Sequence, residues 1–308
     1  TTCGSGDYWL KDSDHTGGYY GSAVACGNFN GDSYYALAVG IPGYAYGETR
    51  EGQVGVYNGT STGLCCMTGP ASWVFEPNLS YMWFGGSLAA GSFHSTYYDD
   101  LAVGSPQSEV WCEDPDWWYD CGSVVVFEGS WGGLEDDWSW ERKGTQQDEK
   151  LGYSLATGDM NDDGLDDLLY GIPYETTYNG WIQLAFGSAS GLSGYWYDYL
   201  FGCLDSNLGF SMASGNVDGV GRDEFIVGAP AYHVTYDIED EGAAFFYNGD
   251  SPQIGWDEDS DVEGVKFGYA VAMGDFDCDN NSDIAIGAPY SDNPRPDGGY
   301  VQVFYSVY

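Results

Sequence analysis

The stretch from Gly158 to Pro173, GDMNDDGLDDLLYGIP, places five aspartates among sixteen residues and contains neither lysine nor arginine. Neighbouring carboxylates repel one another, so a segment of this kind needs a positive partner. Ca²⁺ prefers about six to eight oxygen ligands, and a tight loop with carboxylates at alternate positions can wrap around it. The chemistry that this segment indicates is therefore calcium binding.

Two segments carry the full alternate spacing of oxygen ligands. The predicted ligands of the first are Asp159, Asn161, Asp163, the backbone carbonyl of Leu165, and Asp167. Those of the second are Asp275, Asp277, Asp279, the backbone carbonyl of Asn281, and Asp283. Gly164 permits a sharp turn in the first segment, and Asn280, which tolerates left-handed geometry, takes that place in the second.

Three related segments depart from this spacing. The one that begins at Gly215 offers Asn216, Asp218 and Glu224, but Val220 stands where a carboxylate belongs, so a weaker site is predicted. The one from Gly27 lacks the last acid, because Ala36 replaces it. The one from Gly91 reads Ser92, His94, Thr96 and Asp100, and there a turn held by its own hydrogen bonds is the favoured interpretation.

The acidic segments belong to an internal repeat that occurs five times. The glycines of its Gly-x-Pro ends are spaced 64, 67, 57 and 59 residues apart: Gly40, Gly104, Gly171, Gly228 and Gly287. Each copy has a short apolar run before the acidic loop, a second one after it, a Gly-led alternating run and, in the first four copies, a Trp-containing segment. This pattern predicts four short strands per repeat.

The ends of the chain complete the pattern. The last repeat stops after its third strand, and an orphan segment around Trp9 precedes the first repeat at the matching distance. We therefore predict an all-β fold, a five-bladed β-propeller of four-stranded blades, closed by the N-terminal strand joining the last blade. A closed ring leaves only short, protected strand edges. A single domain over residues 1–308 is expected, with blades at roughly 19–75, 83–140, 151–198, 208–257 and 266–308 and the closing strand at 7–12.

The repeat pattern, an aromatic residue or Leu before Gly and then Gly-Asp-x-Asp/Asn-x-Asp-Gly-x-x-Asp-Leu-x-x-Gly-x-Pro, resembles the FG-GAP repeat of integrin α-subunit propellers and related extracellular proteins. The resemblance spans Trp9 to Tyr305. It implies that the acidic loop joins the first two strands of a blade and binds Ca²⁺, and that partners bind at the opposite face. Integrin heads have seven such blades, whereas this chain has five repeats.

Charge and cysteine content restrict the partners and the compartment. The chain has 48 acidic and 8 basic residues, a formal net charge of −40, which disfavours nucleic acid and anionic membrane surfaces. No apolar run approaches the roughly 18 residues of a membrane span, so no membrane insertion is expected. Eight cysteines indicate an oxidising compartment, and we expect a secreted, extracellular protein.

Two kinds of covalent modification follow from that compartment. A disulfide is predicted between Cys112 and Cys121, which bracket one short loop, and glycosylation is expected at the sequons of Asn58 and Asn78. The pairing of the other six cysteines stays open at this point.

The sequence favours binding over catalysis. The serines of the Gly-x-Ser motifs recur with the repeat, and the three histidines lie in unrelated contexts, so no catalytic residue is predicted and the chain is not expected to be an enzyme. A long loop carries Trp111, Trp117, Trp118 and Tyr119, which we expect to contact a partner, the alternative being that these rings pack over the neighbouring blade.

The predicted function is a non-catalytic extracellular calcium-binding adhesion or structural module that acts through protein–protein contacts. Self-association into a matrix or a surface filament is a further hypothesis. The alternative is a carbohydrate-binding propeller lectin that recognises glycans.

Overall fold

The computed structural model describes residues 10–11, 16–65, 70–109, 120–174, 180–199, 206–233, 240–249, 254–260, 262–292 and 298–306. These residues form 23 β-strands, and all the strands that pair within the sheets are antiparallel. The prediction of an all-β fold is confirmed.

Each repeat forms one sheet, and we number the five sheets in chain order. Sheet one contains β1 (Val24–Gly27), β2 (Ala36–Ile41), β3 (Gln53–Tyr57) and β6 (Trp73–Phe75), with the hairpin of β4 (Gly59–Thr60) and β5 (Gly63–Leu64) after β3. Sheet two contains β7 (Ser87–Gly91), β8 (Asp100–Gly104), β9 (Ser123–Phe127) and β12 (Trp140–Lys143), with the hairpin of β10 (Gly129–Ser130) and β11 (Gly133–Leu134) after β9.

The remaining three sheets repeat this order. Sheet three contains β13 (Leu155–Gly158), β14 (Asp167–Ile172), β15 (Trp181–Phe186) and β16 (Ser193–Tyr199). Sheet four contains β17 (Ser211–Gly215), β18 (Glu224–Ala229), β19 (Ala243–Tyr247) and β20 (Ile254–Asp259). Sheet five contains β21 (Ala270–Gly274), β22 (Asp283–Ala288) and β23 (Tyr300–Phe304).

The first strands of consecutive sheets lie against one another in the order β1, β7, β13, β17 and β21. In the part of the chain that the structure describes, no hydrogen-bonded strand pair joins sheet five to sheet one. Most of the predicted closing strand, residues 7–9 and 12, lies outside the described residues. Leu10 and Lys11 are described and belong to no strand, and the Leu10 side chain is 67% exposed.

The hydrophobic core lies between successive sheets. Strands β8, β14 and β18 are buried along their whole length, which explains why their sequences are continuously apolar rather than alternating. Large side chains such as Phe127 and Phe225 fill the gaps between sheets, and each contributes roughly 1.5–3 kcal/mol by leaving water. The sheets are therefore held together face to face by apolar contacts.

Two small residues of each repeat control how closely the sheets approach. A Cβ on Gly228 would overlap the backbone carbonyl of Gly268 in the next sheet, and Gly40, Gly104 and Gly171 are in the same situation. The serine hydroxyl of the same strand pair donates to that carbonyl: Ser211 Oγ lies 2.9 Å from the Gly268 oxygen. Ser87 and Ser154 make the equivalent bonds at 2.6 Å. These serines therefore join one sheet to the next.

Candidate metal centres

The acidic loops lie at the same end of all five sheets, between the first and the second strand. We call them loops one to five, after their sheets. In loop three, Gly158 at the end of β13 pairs with Asp167 at the start of β14, and in loop five Gly274 pairs with Asp283 in the same way. The two strands thus hold both ends of each loop, and the eight residues between them must turn within a narrow space.

Loop five brings three carboxylates together. One oxygen from each of Asp275, Asp277 and Asp283 lies within 4.8 Å of the others. Within the described ranges this is the one cluster of three acidic, histidine or cysteine side chains with that spacing. Such a distance suits several oxygens around one divalent ion, since Ca²⁺–oxygen distances are roughly 2.3–2.6 Å.

The electrostatics of loop five favour a cation. Desolvation in the turn, followed by the nearby carboxylates of Asp279, Asp283 and Asp275, raises the pKa of Asp277. Burial also acts to raise the pKa of Asp283, but hydrogen bonds, chiefly from the Ser306 and Phe276 amides, outweigh it and lower that pKa. Asp283 is therefore prepared to stay ionised beside two other acids.

The backbone of loop five is shaped around its first acid. The amides of Asp279 and Asn280 both donate to the Asp275 carboxylate, at 3.0 Å each. Asn280 has a φ of 76°, as its position in place of a glycine required. Asp279, the remaining predicted side-chain ligand, is not in the three-acid cluster, and its oxygens accept hydrogen bonds from Asn281 and Ser306.

The backbone amides of loop three bond its side chains as those of loop five do, and one of the predicted ligands, Asn161, is an amide. Asp163 N donates to Asp159 Oδ1 at 3.1 Å and to Asn161 Oδ1 at 3.0 Å, and Gly164, with a φ of 86°, donates to Asp159 Oδ2 at 2.8 Å. Leu165 N donates to Asp163 Oδ1 at 3.0 Å. The structure therefore points these oxygens into one turn.

The last acid of loop three is buried and destabilised as an anion. Burial raises the pKa of Asp167 to about 7, with further contributions from the carboxylates of Asp163 and Asp159, although the amides of Gly187 and Met160 partly oppose it. A bound cation would favour the charged form of this side chain. The donor set of loop three thus fits a calcium ion.

The acid at the start of the second strand in sheets two to five also has a structural role. We call this residue the closing acid: Asp100, Asp167, Glu224 or Asp283 in sheets two to five. Each of the three aspartates accepts one amide from its own loop and one from the end of the third strand. For Asp167 these are Met160 N at 3.0 Å and Gly187 N at 2.8 Å; for Asp283 they are Phe276 N at 2.8 Å and Ser306 N at 3.0 Å.

Loops one and four each contain a buried oxygen without a partner. Asn28 Oδ1 and Asn216 Oδ1 are buried and accept no hydrogen bond. Both occupy the position that Asp159 and Asp275 hold in loops three and five. A buried carbonyl oxygen that lacks a donor is costly unless a cation or water satisfies it. Sequence spacing could not show this, because burial of a single atom depends on the folded chain.

Residues 151–182 and 267–304 match the FG-GAP repeat family. These two segments lie in sheets three and five, which therefore carry FG-GAP repeats. Integrin alpha-4 of Xenopus laevis is 28% identical to the chain over 280 residues, 83% of this chain and 24% of that relative. Integrin alpha-PS2 of Drosophila melanogaster is 28% identical over 176 residues, 54% of this chain and 12% of that relative. The chain thus spans a quarter or less of the length of these relatives.

Among solved structures, the exotype rhamnogalacturonan lyase YesX has a TM-score of 0.51 at 13% identity, over 92% of this chain and 47% of that one. At this identity the likeness shows the fold alone, and it supports a propeller-like arrangement of the FG-GAP sheets. None of the described residues forms a helix with the length and apolarity needed to cross a bilayer.

The end of the sheets opposite the acidic loops carries aromatic side chains. Tyr153, Phe210 and Tyr269 follow the motif glycines of sheets three to five, with ring centroids 4.9 Å apart at each step. Beside them, a pocket of about 460 Å³ is lined in part by Trp83, Lys150 and Tyr153. The predicted partner residues Trp111, Trp117, Trp118 and Tyr119 lie outside the described residues.

The predicted covalent features are placed only in part. Cys121 is disulfide-bonded, and its partner lies outside the described residues, as does Cys112. Cys26 and Cys278 are free thiols. Of the two expected glycosylation sites, Asn78 is exposed and Asn58 is half-buried.

Sequence reasoning missed a second set of acids, which link one loop to the next. We call Asp99, Asp166 and Asp223 the clamp acids. Asp166 Oδ2 accepts the Ser92 amide of loop two at 2.7 Å, and the Asp166 amide donates back to the Ser92 carbonyl at 3.1 Å. Asp99 makes the same two hydrogen bonds with the backbone of Asn28, and Asp223 makes them with the backbone of Asp159. The available signal was the acid doublet that ends loops two, three and four.

The clamp acids are tested by replacing Asp166. We expect Asp166→Ala to lower the free energy of unfolding by about 1–3 kcal/mol, because the Ser92 amide loses its acceptor in a half-buried place. Asp166→Asn keeps an acceptor oxygen and should retain most of the stability. Urea unfolding, monitored by intrinsic tryptophan fluorescence with and without calcium, measures both.

Asp162→Asn is the matched control, since Asp162 is an exposed acid of the same loop that makes no clamp, and asparagine tolerates its left-handed φ of 61°. Equal destabilisation by Asp166→Ala and Asp162→Asn would show that the clamp contributes nothing.

Proposed function

We propose that this chain is a non-catalytic, extracellular, calcium-binding module that acts through protein–protein contacts, built from FG-GAP repeats closed into a five-bladed propeller. The observation that carries the proposal is the convergence of Asp275, Asp277 and Asp283 at the acidic loop of an FG-GAP repeat. Three carboxylates at this separation repel one another unless a cation lies among them.

The proposal assigns the ions to particular loops. Loops three and five hold Ca²⁺ through the residues predicted from spacing, Asp159 to Asp167 and Asp275 to Asp283. Loop four holds a weaker ion through Asn216, Asp218 and Glu224, supported by the unpartnered Asn216 oxygen. The ion neutralises the loop and ties the first strand of the sheet to the second.

Calcium removal tests the metal sites. We expect EGTA to lower the melting temperature and Ca²⁺ to restore it, since an ion at about 100 times its dissociation constant adds roughly 2.7 kcal/mol per site. Asp277→Asn should remove about one site's share of that stabilisation, because it takes one charge from the three-acid cluster. Differential scanning calorimetry over a calcium titration measures the effect.

Asp162→Asn serves as the control, since Asp162 is an exposed acid of loop three that is not among the predicted ligands. A melting temperature that is the same in EGTA and in Ca²⁺ would overturn the metal assignment.

The closed ring is supported by the unfinished edge of sheet five. In the four complete sheets a tryptophan of the fourth strand pairs with the third strand: Trp73 with Val56, Trp140 with Val126, Trp196 with Leu184, and Trp256 with Phe246. Val303 holds the corresponding position in β23, and its side chain is 39% exposed, beside Val301 at 66%. We infer that the segment around Trp9 fills this place.

A pair of glycine substitutions tests the ring. Gly228 packs against Gly268 of the next sheet, whereas a Cβ on Gly287 would come no closer than 3.6 Å to another atom. In a closed ring, sheet one covers Gly287, so Gly287→Ala should destabilise by about 1–3 kcal/mol, as Gly228→Ala does, through overpacking. Thermal unfolding of both variants measures this. A normal melting temperature for Gly287→Ala alone would mean that sheets five and one are not packed together.

The non-catalytic and extracellular parts of the proposal rest on how the reactive residues are used. Three of the four motif serine hydroxyls donate to glycine carbonyls of the next sheet, and that of Ser22 donates to the Tyr19 carbonyl, so they are structural. A disulfide at Cys121 in a chain with eight cysteines suits an oxidising compartment.

Protein contacts and glycan binding make different predictions for the aromatic end of the sheets. The row of Tyr153, Phe210 and Tyr269 also suits the stacking of sugar rings, which keeps the lectin as the second candidate. We expect light scattering of the calcium-loaded chain to show a mass that rises with concentration, and a glycan array to show no binding. A chain that stays monomeric at all concentrations and binds a defined glycan would replace our proposal with the lectin.

A further inference from the structure

Loop two departs from the others by placing a histidine among its acids. His94 stands at the position that Asn161 holds in loop three and Asp277 in loop five. Its Nδ1 lies 2.8 Å from Oδ2 of Asp100, the closing acid of sheet two. The Asp100 side chain is 1% exposed and that of His94 is 21% exposed.

The Asp100 carboxylate accepts three hydrogen bonds in this arrangement. It accepts the Phe93 amide at 3.1 Å and the Gly129 amide at 2.8 Å in addition to His94. Burial raises the pKa of Asp100, and the hydrogen bond from His94 opposes that rise. The imidazole therefore does for Asp100 part of what a cation would do for Asp167.

The charged groups around this pair are acidic. Within the loop, Asp99 accepts a hydrogen bond from the Ser92 hydroxyl, and Asp166 of loop three accepts one from the Ser92 amide. The negative charge of Glu128, directly after β9, acts to raise the pKa of Asp100. Such surroundings favour a hydrogen-bond donor or a metal ion beside Asp100. The imidazole and Ca²⁺ would therefore compete for one place.

We propose that the His94 imidazole takes the place of the ion in loop two: it donates a hydrogen bond to the buried Asp100 and excludes Ca²⁺ from this loop. This inference rests on the proposed calcium function for loops three and five, and it makes His94 the residue that decides whether loop two binds the ion. The position that is a predicted ligand in loops three and five is therefore an internal hydrogen-bond donor in loop two.

The exclusion is tested by a gain of function. We expect the double variant His94→Asp with Thr96→Asp, which gives loop two three of the four acids of loop five and leaves Ser92 at the position of Asp275, to bind one more Ca²⁺ per chain than the wild type. Thr96→Asp alone is the matched control and should gain none, because His94 is still present. Isothermal titration calorimetry gives the stoichiometry, and far-ultraviolet circular dichroism confirms that each variant is folded.

Three results would overturn the exclusion. They are an extra ion in Thr96→Asp alone, a folded double variant without an extra ion, and the loss of one ion from Asp100→Asn.

A second arm tests the hydrogen bond without calcium, so that its outcome does not depend on the metal proposal. In EGTA, His94→Ala should lower the melting temperature, because the buried Asp100 carboxylate loses one of its three donors. His233→Ala, which removes a histidine from sheet four, is the control and should have a smaller effect.

A melting temperature of His94→Ala in EGTA equal to that of the wild type would mean that the imidazole does not stabilise the buried Asp100, and that part of the proposal would be wrong. Failure of both arms in a protein that still binds calcium elsewhere would remove the inference and leave the proposed function intact.

Discussion

The constraint on which the structure depends is the burial of a carboxylate at the start of the second strand. Asp100, Asp167 and Asp283 are each fully buried, and each joins its own acidic loop to the end of the third strand by two amide hydrogen bonds. Bonds to a charged acceptor contribute roughly 1.5–3 kcal/mol, but burying the charge is costly. In loop two the carboxylate also accepts a hydrogen bond from the His94 imidazole, and for loops three and five we propose that a cation offsets that cost.

The same acids explain why the sheets form a series rather than five independent units. The clamp acid of one loop holds the backbone of the preceding loop, and at the opposite end of the strands the motif serine donates to the next sheet. Between these two sets of bonds lies an apolar layer so tight that only glycine fits at Gly171 and Gly228. Each of these loops is therefore joined to the neighbouring loop by short, direct contacts.

Both ends of the sheets carry acids, but basic side chains lie beside the aromatic rings at one of them. Arg50 and Lys150 lie over the rings of Trp83 and Tyr174, at 4.8 and 4.7 Å. Lys150 also pairs there with Asp120, at 3.9 Å. A chain with a formal net charge of −40 thus places some of its few cations at the aromatic end.

The repeat made much of this architecture predictable. Five copies of one pattern predicted one antiparallel sheet per copy, and the continuous apolar runs after each loop predicted strands buried on both faces. The left-handed turn was placed at Gly164 and at Asn280 because few other residues adopt that conformation. The clamp acids were overlooked, since an acid doublet next to predicted ligands looks like part of the same site. The unpartnered oxygens of Asn28 and Asn216 were also beyond prediction, because they depend on neighbours from other parts of the chain.

Spacing along the chain was enough to locate the acidic loops and the oxygens that can face one ion, because both ends of such a loop are held by the two strands beside it. The fold decided which carboxylate bonds an amide of its own loop, which bonds the neighbouring loop and which meets a histidine. Those partners lie as far as 74 residues away, as Ser92 and Asp166 do, and only the packing of one sheet on the next brings them within hydrogen-bonding distance.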